Sequence, residues 1–184
     1  MVIVETPRLL LRQPELSDAE RLMEIIWDPE VVEKKQVTLT EPPGGIELAR
    51  GKVEGTIRHW ELRGYGQWTV VESATGQIVG CVGFFHPISI AWPGIDLSWI
   101  IHRSRWGNGL ATEAGRAAIQ WAWDTGKIDH IISLIHPADL RSIRVATKIG
   151  ESFERADVDP INGEPVHVYG IYHPNSLIAQ PSPS

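Results

Sequence analysis

Between an apolar run that ends at His102 and an alanine-rich run that begins at Leu110 stands Trp106-Gly107-Asn108-Gly109. Ile95–His102 reads as a strand. Beyond the glycines, Leu110, Ala111, Ala114, Ala117, Ala118, Trp121 and Ala122 recur on one face of a helix that ends near Gly126. A strand, a Gly-x-Gly loop and a helix start leave little freedom. Glycine lets backbone come close to a guest, and the first amides of the helix point outward with the positive end of its dipole. A pyrophosphate suits such a cradle, although the same glycines would also serve a plain tight turn.

Two phosphate motifs can be tested directly. The G-x-x-x-x-G-K-[ST] loop is absent, since Gly51-Lys52 is followed by Val53 and Gly126-Lys127 by Ile128. The dinucleotide fingerprint G-x-G-x-x-G fails at Thr112, where its third glycine would stand. Asp129 lies about twenty residues on, as that fingerprint asks, but it precedes the next strand instead of ending one. A nucleotide-dependent oxidoreductase is therefore a minor alternative.

The rest of the chain reads as one α/β unit. Arg8–Arg12 is a short strand, and Ser17-Asp18-Ala19-Glu20 spells a capping box before a helix with Leu22, Ile25 and Ile26 inward, stopping before Pro29. After Pro42-Pro43-Gly44-Gly45, the spacing of Ile46, Ala49, Val53, Ile57 and Trp60 predicts a helix over 46–63. Runs 66–72 and 77–85 form a hairpin about Ser73-Ala74-Thr75-Gly76. Ile131–Ile135 is a buried-type strand. Leu140, Ile143, Ala146 and Ile149 mark a helix closed by Gly150, and 153–158 pairs with 166–172. The order β-α-α-β-β-β-α-β-α-β-β implies a mixed, mostly antiparallel sheet flanked by about four helices. Residues 1–173 read as a single domain, and 174–184 are expected to form a disordered tail.

Composition excludes several classes. With 42% apolar and 22% charged residues the chain is globular, and no apolar run nears the roughly 18 residues of a membrane span. Residues 1–12 do not read as a signal peptide, so the cytoplasm is the expected compartment. Cys81, the only cysteine, excludes an internal disulfide and a cysteine-rich zinc site, and no His/Glu spacing suggests a metal. The net charge of −6 argues against nucleic acid and mildly favours cationic ligands such as amines. Most of the eight tryptophans belong in the core, with one or two lining a pocket.

Trp106 to Ala111 resembles the Gln/Arg-x-x-Gly-x-Gly/Ala loop of the GNAT acetyltransferases, with Trp in the first position. More narrowly, the chain resembles the RimJ/RimL-like branch, which modifies N-terminal amines of ribosomal proteins and includes small-molecule relatives. The resemblance runs through Glu5–Arg12, Asp96–His102, Trp106–Ala114 and His136–Val145 in the branch's order. It implies acetyl-CoA as co-substrate. The backbone of Ile100 and Ile101, with Trp99 beside them, would bond the pantetheine arm. Trp106 would contact the cofactor, the amides of Gly107, Asn108, Gly109, Leu110, Ala111 and Thr112 would hold the pyrophosphate, and Asp139 and Ser142 would flank the thioester. Asp139, where the branch has Asn, also reads as a helix N-cap. The tyrosine acid of many relatives is Ala146 here, and the usual Gly-Phe is Gly150-Glu151.

Amine acetylation needs a neutral amine, a polarised carbonyl and a tolerable leaving thiol, whose pKa of about 8.5 is acceptable near neutrality. Ser142 is the candidate donor to sulfur, a strand amide near Trp99–Ile101 the candidate oxyanion donor, and Asp96 the candidate base. Glu24, Glu33 and His86 are further base candidates, while His102 and His136 read as turn residues. The acceptor is a small molecule or a protein N-terminus, walled by the first two helices and the loop 84–93. No membrane partner is expected, and the protein is a monomer or homodimer. A non-catalytic acyl-CoA-binding module is the remaining alternative.

Overall fold

The alternation and turn chemistry of the sequence resolve into one eight-stranded sheet in the computed structural model, which describes residues 1–31, 45–86, 94–159 and 163–176. In chain order the elements are β1 (Ile3–Glu5), β2 (Leu9–Arg12), α1 (Ala19–Ile26), α2 (Gly45–Arg63), β3 (Gln67–Glu72), β4 (Gln77–Phe85) and β5 (Ile95–Ile101), then α3 (Leu110–Thr125), β6 (His130–Ile135), α4 (Leu140–Ile149), β7 (Ser152–Val158) and β8 (Pro165–Tyr172). The spatial order is β1-β2-β3-β4-β5-β6-β8-β7. Every neighbouring pair is antiparallel except β5 with β6.

Two apolar layers hold the helices to the sheet. Alternate residues of the strands, among them Leu9, Leu11, Trp68, Val70, Leu97, Trp99 and Ile131, pack with Leu110, Ala114, Ala118 and Ala122 of α3. The alanines let α3 lie close to the sheet. Ala19 and Leu22 of α1 pack with Ala49 and Val53 of α2 and Cys81 of β4 in a second cluster. Most described tryptophans serve the core: Trp68 stacks edge-on to Trp60 at 4.9 Å and to Trp121 at 5.0 Å. Left-handed Gly126 and Gly150 close α3 and α4, where only glycine adopts that geometry without strain.

The structure corrects some details. An additional strand, β1, precedes β2. Three residues with one half-buried side chain carry too little alternation to be recognised. The turn at α1 does not use Ser17 as its cap: Asp18 instead accepts from the Glu15 amide at 2.9 Å, while Arg12 grips both its oxygens. Asp18 is 2% exposed, held inward by the half-buried Arg12 guanidinium. Ile46 and Leu140, read as inward-facing, are exposed; each opens its helix, where the core has already fallen away. Glu33, Trp92, most of loop 84–93 and the tail from 177 lie outside the described residues. Among the described residues no helix is long and apolar enough to cross a membrane.

Candidate active-site groove

Strands β5 and β6 pair only at Ile95–Ile131 and Asp96–Ile132, then diverge. Side chains replace the ladder where they part. The Ser133 hydroxyl lies 2.8 Å from the Leu97 carbonyl, and the Leu134 amide donates to Asp96 Oδ1 at 3.2 Å. Beyond Leu97 the edge of β5 facing β6 lacks its partner strand. Backbone direction alternates along a strand. His102 N donates to Val79 O of β4, and the Ile100 carbonyl also faces β4, since a Cβ on Gly80 would sit 2.1 Å from it. Trp99 and Ile101 therefore present their backbone to the opening, and Ile100 does not. The expectation for Ile100 is corrected: the ladder to β4 already uses its polar groups. The Ile101 carbonyl takes the Trp106 indole N–H at 2.7 Å, so the Trp99 backbone and the Ile101 amide form the usable edge.

After β5, residues Arg103–Arg105 make a single tight turn into the glycine loop. Gly107 (φ 78°) and Gly109 (φ 76°) are left-handed, which accounts for both glycines as backbone devices. A Cβ at Gly107 would meet no protein atom within 4 Å, and one at Gly109 only Arg8 Nη2 at 3.7 Å, so the space beside them is open. Gly109 caps α3 without a side chain, leaving the opening amides of Leu110, Ala111 and Thr112 without a side-chain cap. Asn108 folds back on its own loop, donating to the Arg105 and Trp106 carbonyls at 3.2 and 3.3 Å, and it braces the loop instead of lining the groove.

The N-terminal Thr6-Pro7-Arg8 segment reaches this loop. Glu113, in the first turn of α3, accepts from Thr6 Oγ1 at 2.7 Å, Arg8 N at 3.0 Å and Arg8 Nε at 2.6 Å. Arg8 Nη1 also donates to the Asn108 carbonyl at 2.8 Å. Burial would raise the Glu113 pKa, but the Thr6 and Arg8 hydrogen bonds outweigh it, so the carboxyl lies below its ordinary value. Two motifs more than a hundred residues apart are thus one structural device. Sequence alone shows both but not their contact.

The groove that results holds about 540 Å³. Trp99, Ile100, Ile101, Trp106, Gly107, Gly109, Leu110, Ala111, Thr112, Asp139 and Ser142 all line it, so the structure gathers every expected cofactor residue but Asn108. Asp139 caps α4, its Oδ1 accepting from Ser142 N at 3.1 Å. Sequence reading missed the cationic wall. Arg141, Arg144 and Lys148 of α4 also line the groove, and Arg141 lies 4.2 Å over the Trp106 ring. Their spacing, i, i+3 and i+7, was the available signal for one helical face. Arg105 joins them, tied to Glu72 at 3.0 Å.

A smaller cavity of about 170 Å³ opens in the cleft between β5 and β6 and shares Trp99, Asp139 and Ser142 with the groove. Asp96, Asp139, Asp159 and Glu164 line it with His136, and among the described residues its lining contains no lysine or arginine. Asp96 thus belongs to this cavity while also bracing the parted strands. The other base candidates lie elsewhere: Glu24 pairs with Arg21 at 2.8 Å, and His86 Nδ1 meets the Tyr65 hydroxyl at 3.1 Å. His102 and His136 each accept a nearby backbone amide, consistent with turn residues, though His136 also faces the cavity. Ala146 is fully buried, so no acid operates from that position.

An open strand edge, a helix start without a side-chain cap and a cationic helix face thus line one groove, which meets a small acidic cavity. The chain belongs to the GNAT acetyltransferase family: residues 8–152 match the acetyltransferase (GNAT) domain. It is 26% identical over 174 residues, 92% of this chain and 94% of the relative, to an uncharacterized N-acetyltransferase, p20, of Bacillus licheniformis. The fold matches that of the ribosomal-protein-S5-alanine acetyltransferase of Vibrio fischeri with a TM-score of 0.80 at 13% identity, covering 95% of this chain and 98% of that one. RimL, a ribosomal L7/L12 alpha-N-protein acetyltransferase in complex with coenzyme A, matches with a TM-score of 0.74 at 18% identity, covering 93% and 98%. Family membership sets aside the oxidoreductase alternative.

Proposed function

We propose that this protein transfers the acetyl group of acetyl-CoA to the α-amino group of a peptide or protein N-terminus, or of a small amino compound. The observation that carries the reading is the meeting of the two cavities at Trp99, Asp139 and Ser142. The long groove matches the donor in each part: an open strand edge for the amide-bearing arm, helix-start amides for the pyrophosphate and cations for further phosphate. The acidic cavity suits an ammonium group arriving from the other side.

Acetyl-CoA supplies an activated thioester, whose carbonyl the neutral amine attacks. The Trp99 amide, on the open edge, donates to the carbonyl oxygen. Ser142 offers its hydroxyl to the leaving sulfur, with its backbone held by Asp139. Asp96, in the acceptor cavity, draws the amine proton directly or through water. The S5-alanine acetyltransferase and RimL, both named for action on ribosomal proteins, support an N-terminal acceptor by likeness of fold.

Acetyl-CoA should raise the melting temperature, because the folded groove binds a ligand the unfolded chain does not. Saturation to 100 times Kd corresponds to about 2.7 kcal/mol. An unchanged Tm at millimolar acetyl-CoA would sink the reading. Gly109→Val should weaken acetyl-CoA binding about tenfold, since its branched side chain would occupy the open space beside the cradle. Its positive φ adds roughly 1–2 kcal/mol of backbone strain, so a lowered Tm is expected too. Calorimetry on the folded variant reads the binding loss separately, and unchanged affinity would leave Gly109 as a turn residue only.

A further inference from the structure

At the point where β5 leaves β6, one hydroxyl has two oxygen neighbours. Ser133 Oγ lies 2.8 Å from the Leu97 carbonyl and 2.9 Å from Glu151 Oε1. A serine has one proton to give. The Leu97 carbonyl can only accept, and so can an ionised carboxylate, so with Glu151 ionised one of these two short oxygen contacts would lack a proton. A protonated Glu151 supplies the second proton and satisfies both contacts. Both side chains are buried, Glu151 at 3% and Ser133 at 1% exposure, and Glu151 Oε2 is buried without a protein partner. An ionised carboxylate with one oxygen so placed would be costly, whereas a neutral acid is not.

We propose that Glu151 is a neutral carboxylic acid that donates to Ser133, and through it fixes the separation of β5 from β6 that the acetyl-CoA groove requires. Glu151 directly follows the left-handed Gly150 that ends α4, and its amide donates to the Ala146 carbonyl at 3.0 Å. Its side chain therefore links the C-terminal end of α4 to β6 and, through Ser133, to β5. Those two walls carry Asp139 and Ser142 on one side and Trp99 on the other. Glu151 touches no groove space itself and acts as a positioning residue. The charged groups facing it agree with the neutral form. Burial holds its proton on first of all, and the carboxylates of Asp96 on β5 and Glu154 on β7 do so further. The Ser133 hydrogen bond opposes them without prevailing. Glu154 is itself engaged by His130 at 2.8 Å and Arg155 at 3.6 Å.

The sign of the pH dependence follows. The folded state keeps the proton at pH values where the unfolded chain has lost it. This contribution to stability is complete below the ordinary glutamate range, near pH 4.3, and is lost as pH rises toward the raised folded value. Glu151→Gln keeps a donor for Ser133 and removes the titration. It should melt higher than the parent at pH 8, with the gap shrinking toward pH 4.5, and should bind acetyl-CoA within about twofold of the parent. Infrared spectra of the parent at pH 7.5 should carry a protonated-carboxyl band that this variant lacks. Ser133→Ala, which cuts the link to Leu97, should weaken acetyl-CoA binding about five- to tenfold. A Gln variant no more stable than the parent, with no carboxyl band lost, would make Glu151 an ionised acceptor and overturn the proposal. Full affinity in Ser133→Ala would overturn the positioning role. The inference rests on reading the groove as an acetyl-CoA site only for its binding arm. A parent that fails to bind acetyl-CoA refutes that reading, while the spectra and melting curves still judge Glu151.

Discussion

Asp18→Ala is expected to destabilise the fold by about 3–5 kcal/mol, the range for removing one partner of a buried ion pair. The Asp18 side chain is 3% exposed and that of Arg12 19%. Arg12 donates through both terminal nitrogens, at 2.7 and 2.6 Å, and Thr69 Oγ1 and the Glu15 amide each add a bond at 2.9 Å. Truncation would leave a guanidinium, a hydroxyl and an amide without their shared acceptor. The damage would fall where β2, β3 and the entry to α1 meet, and none of these bonded residues lines the groove. Acetyl-CoA affinity of the still-folded fraction should therefore change little, and denaturant melts with the ligand titrated separately resolve the two. Burial acts to raise the Asp18 pKa, but the Arg12, Glu15 and Thr69 hydrogen bonds together lower it below the ordinary value. A lowered folded pKa gives stability that is present above the unfolded value, near pH 3.9, and is lost as pH falls toward the folded one. The parent should lose part of its stability as pH falls below about 4, and the alanine variant should lose less. A loss under about 1 kcal/mol would show that this pair is worth no more than a surface bridge.

That pair also marks where sequence reasoning stopped. Ser17-x-x-Glu20 has the letters of a capping box, and nothing local says that Asp18 will turn toward an arginine on the neighbouring strand. Elements with strong periods were legible: α3 through its alanine stripe, the β3–β4 hairpin through its turn, and α4 through its spacing and closing Gly150. β1 was not, since three residues at an edge carry no period. The same division holds in the groove. The glycine loop and the Asp139 cap are local patterns and could be placed from the chain alone. Three things depended on distant contacts: Glu113 held by Thr6 and Arg8, the Ile100 backbone turned toward β4, and Glu151 folded back onto Ser133. The cationic face of Arg141, Arg144 and Lys148 was readable from its spacing, but it was hidden by a net charge of −6 averaged over the whole chain.

The acceptor site yields the second large effect, a preference for α-amines over lysine ε-amines. An ε-amine with a pKa of about 10.4 must lose its proton against roughly three pK units at pH 7.5, or about 4 kcal/mol, whereas an α-amine near 7.7–8.0 faces under about 1 kcal/mol. An enzyme that acts on lysine must supply that difference through a tuned base. Ala146 is buried core where many relatives place a tyrosine, Glu24 and His86 are engaged elsewhere, and Asp96 has one oxygen bonded to the Leu134 amide. The carboxylates of the acceptor cavity favour the ammonium form of either amine, so they do not narrow the gap. With acetyl-CoA held constant at pH 7.5, a peptide blocked at its ε-amine should be acetylated at least tenfold faster than the same peptide blocked at its α-amine. The gap should narrow as pH rises toward 9, because the ε-amine gains neutral fraction after the α-amine is already deprotonated. Faster transfer to the ε-amine at pH 7.5 would mean that a stronger base serves the cavity. Substitutions at Asp96, Asp159, Glu164 and His136, the titratable groups that line it beside the capping Asp139, would then identify that base by the pH profile each one shifts.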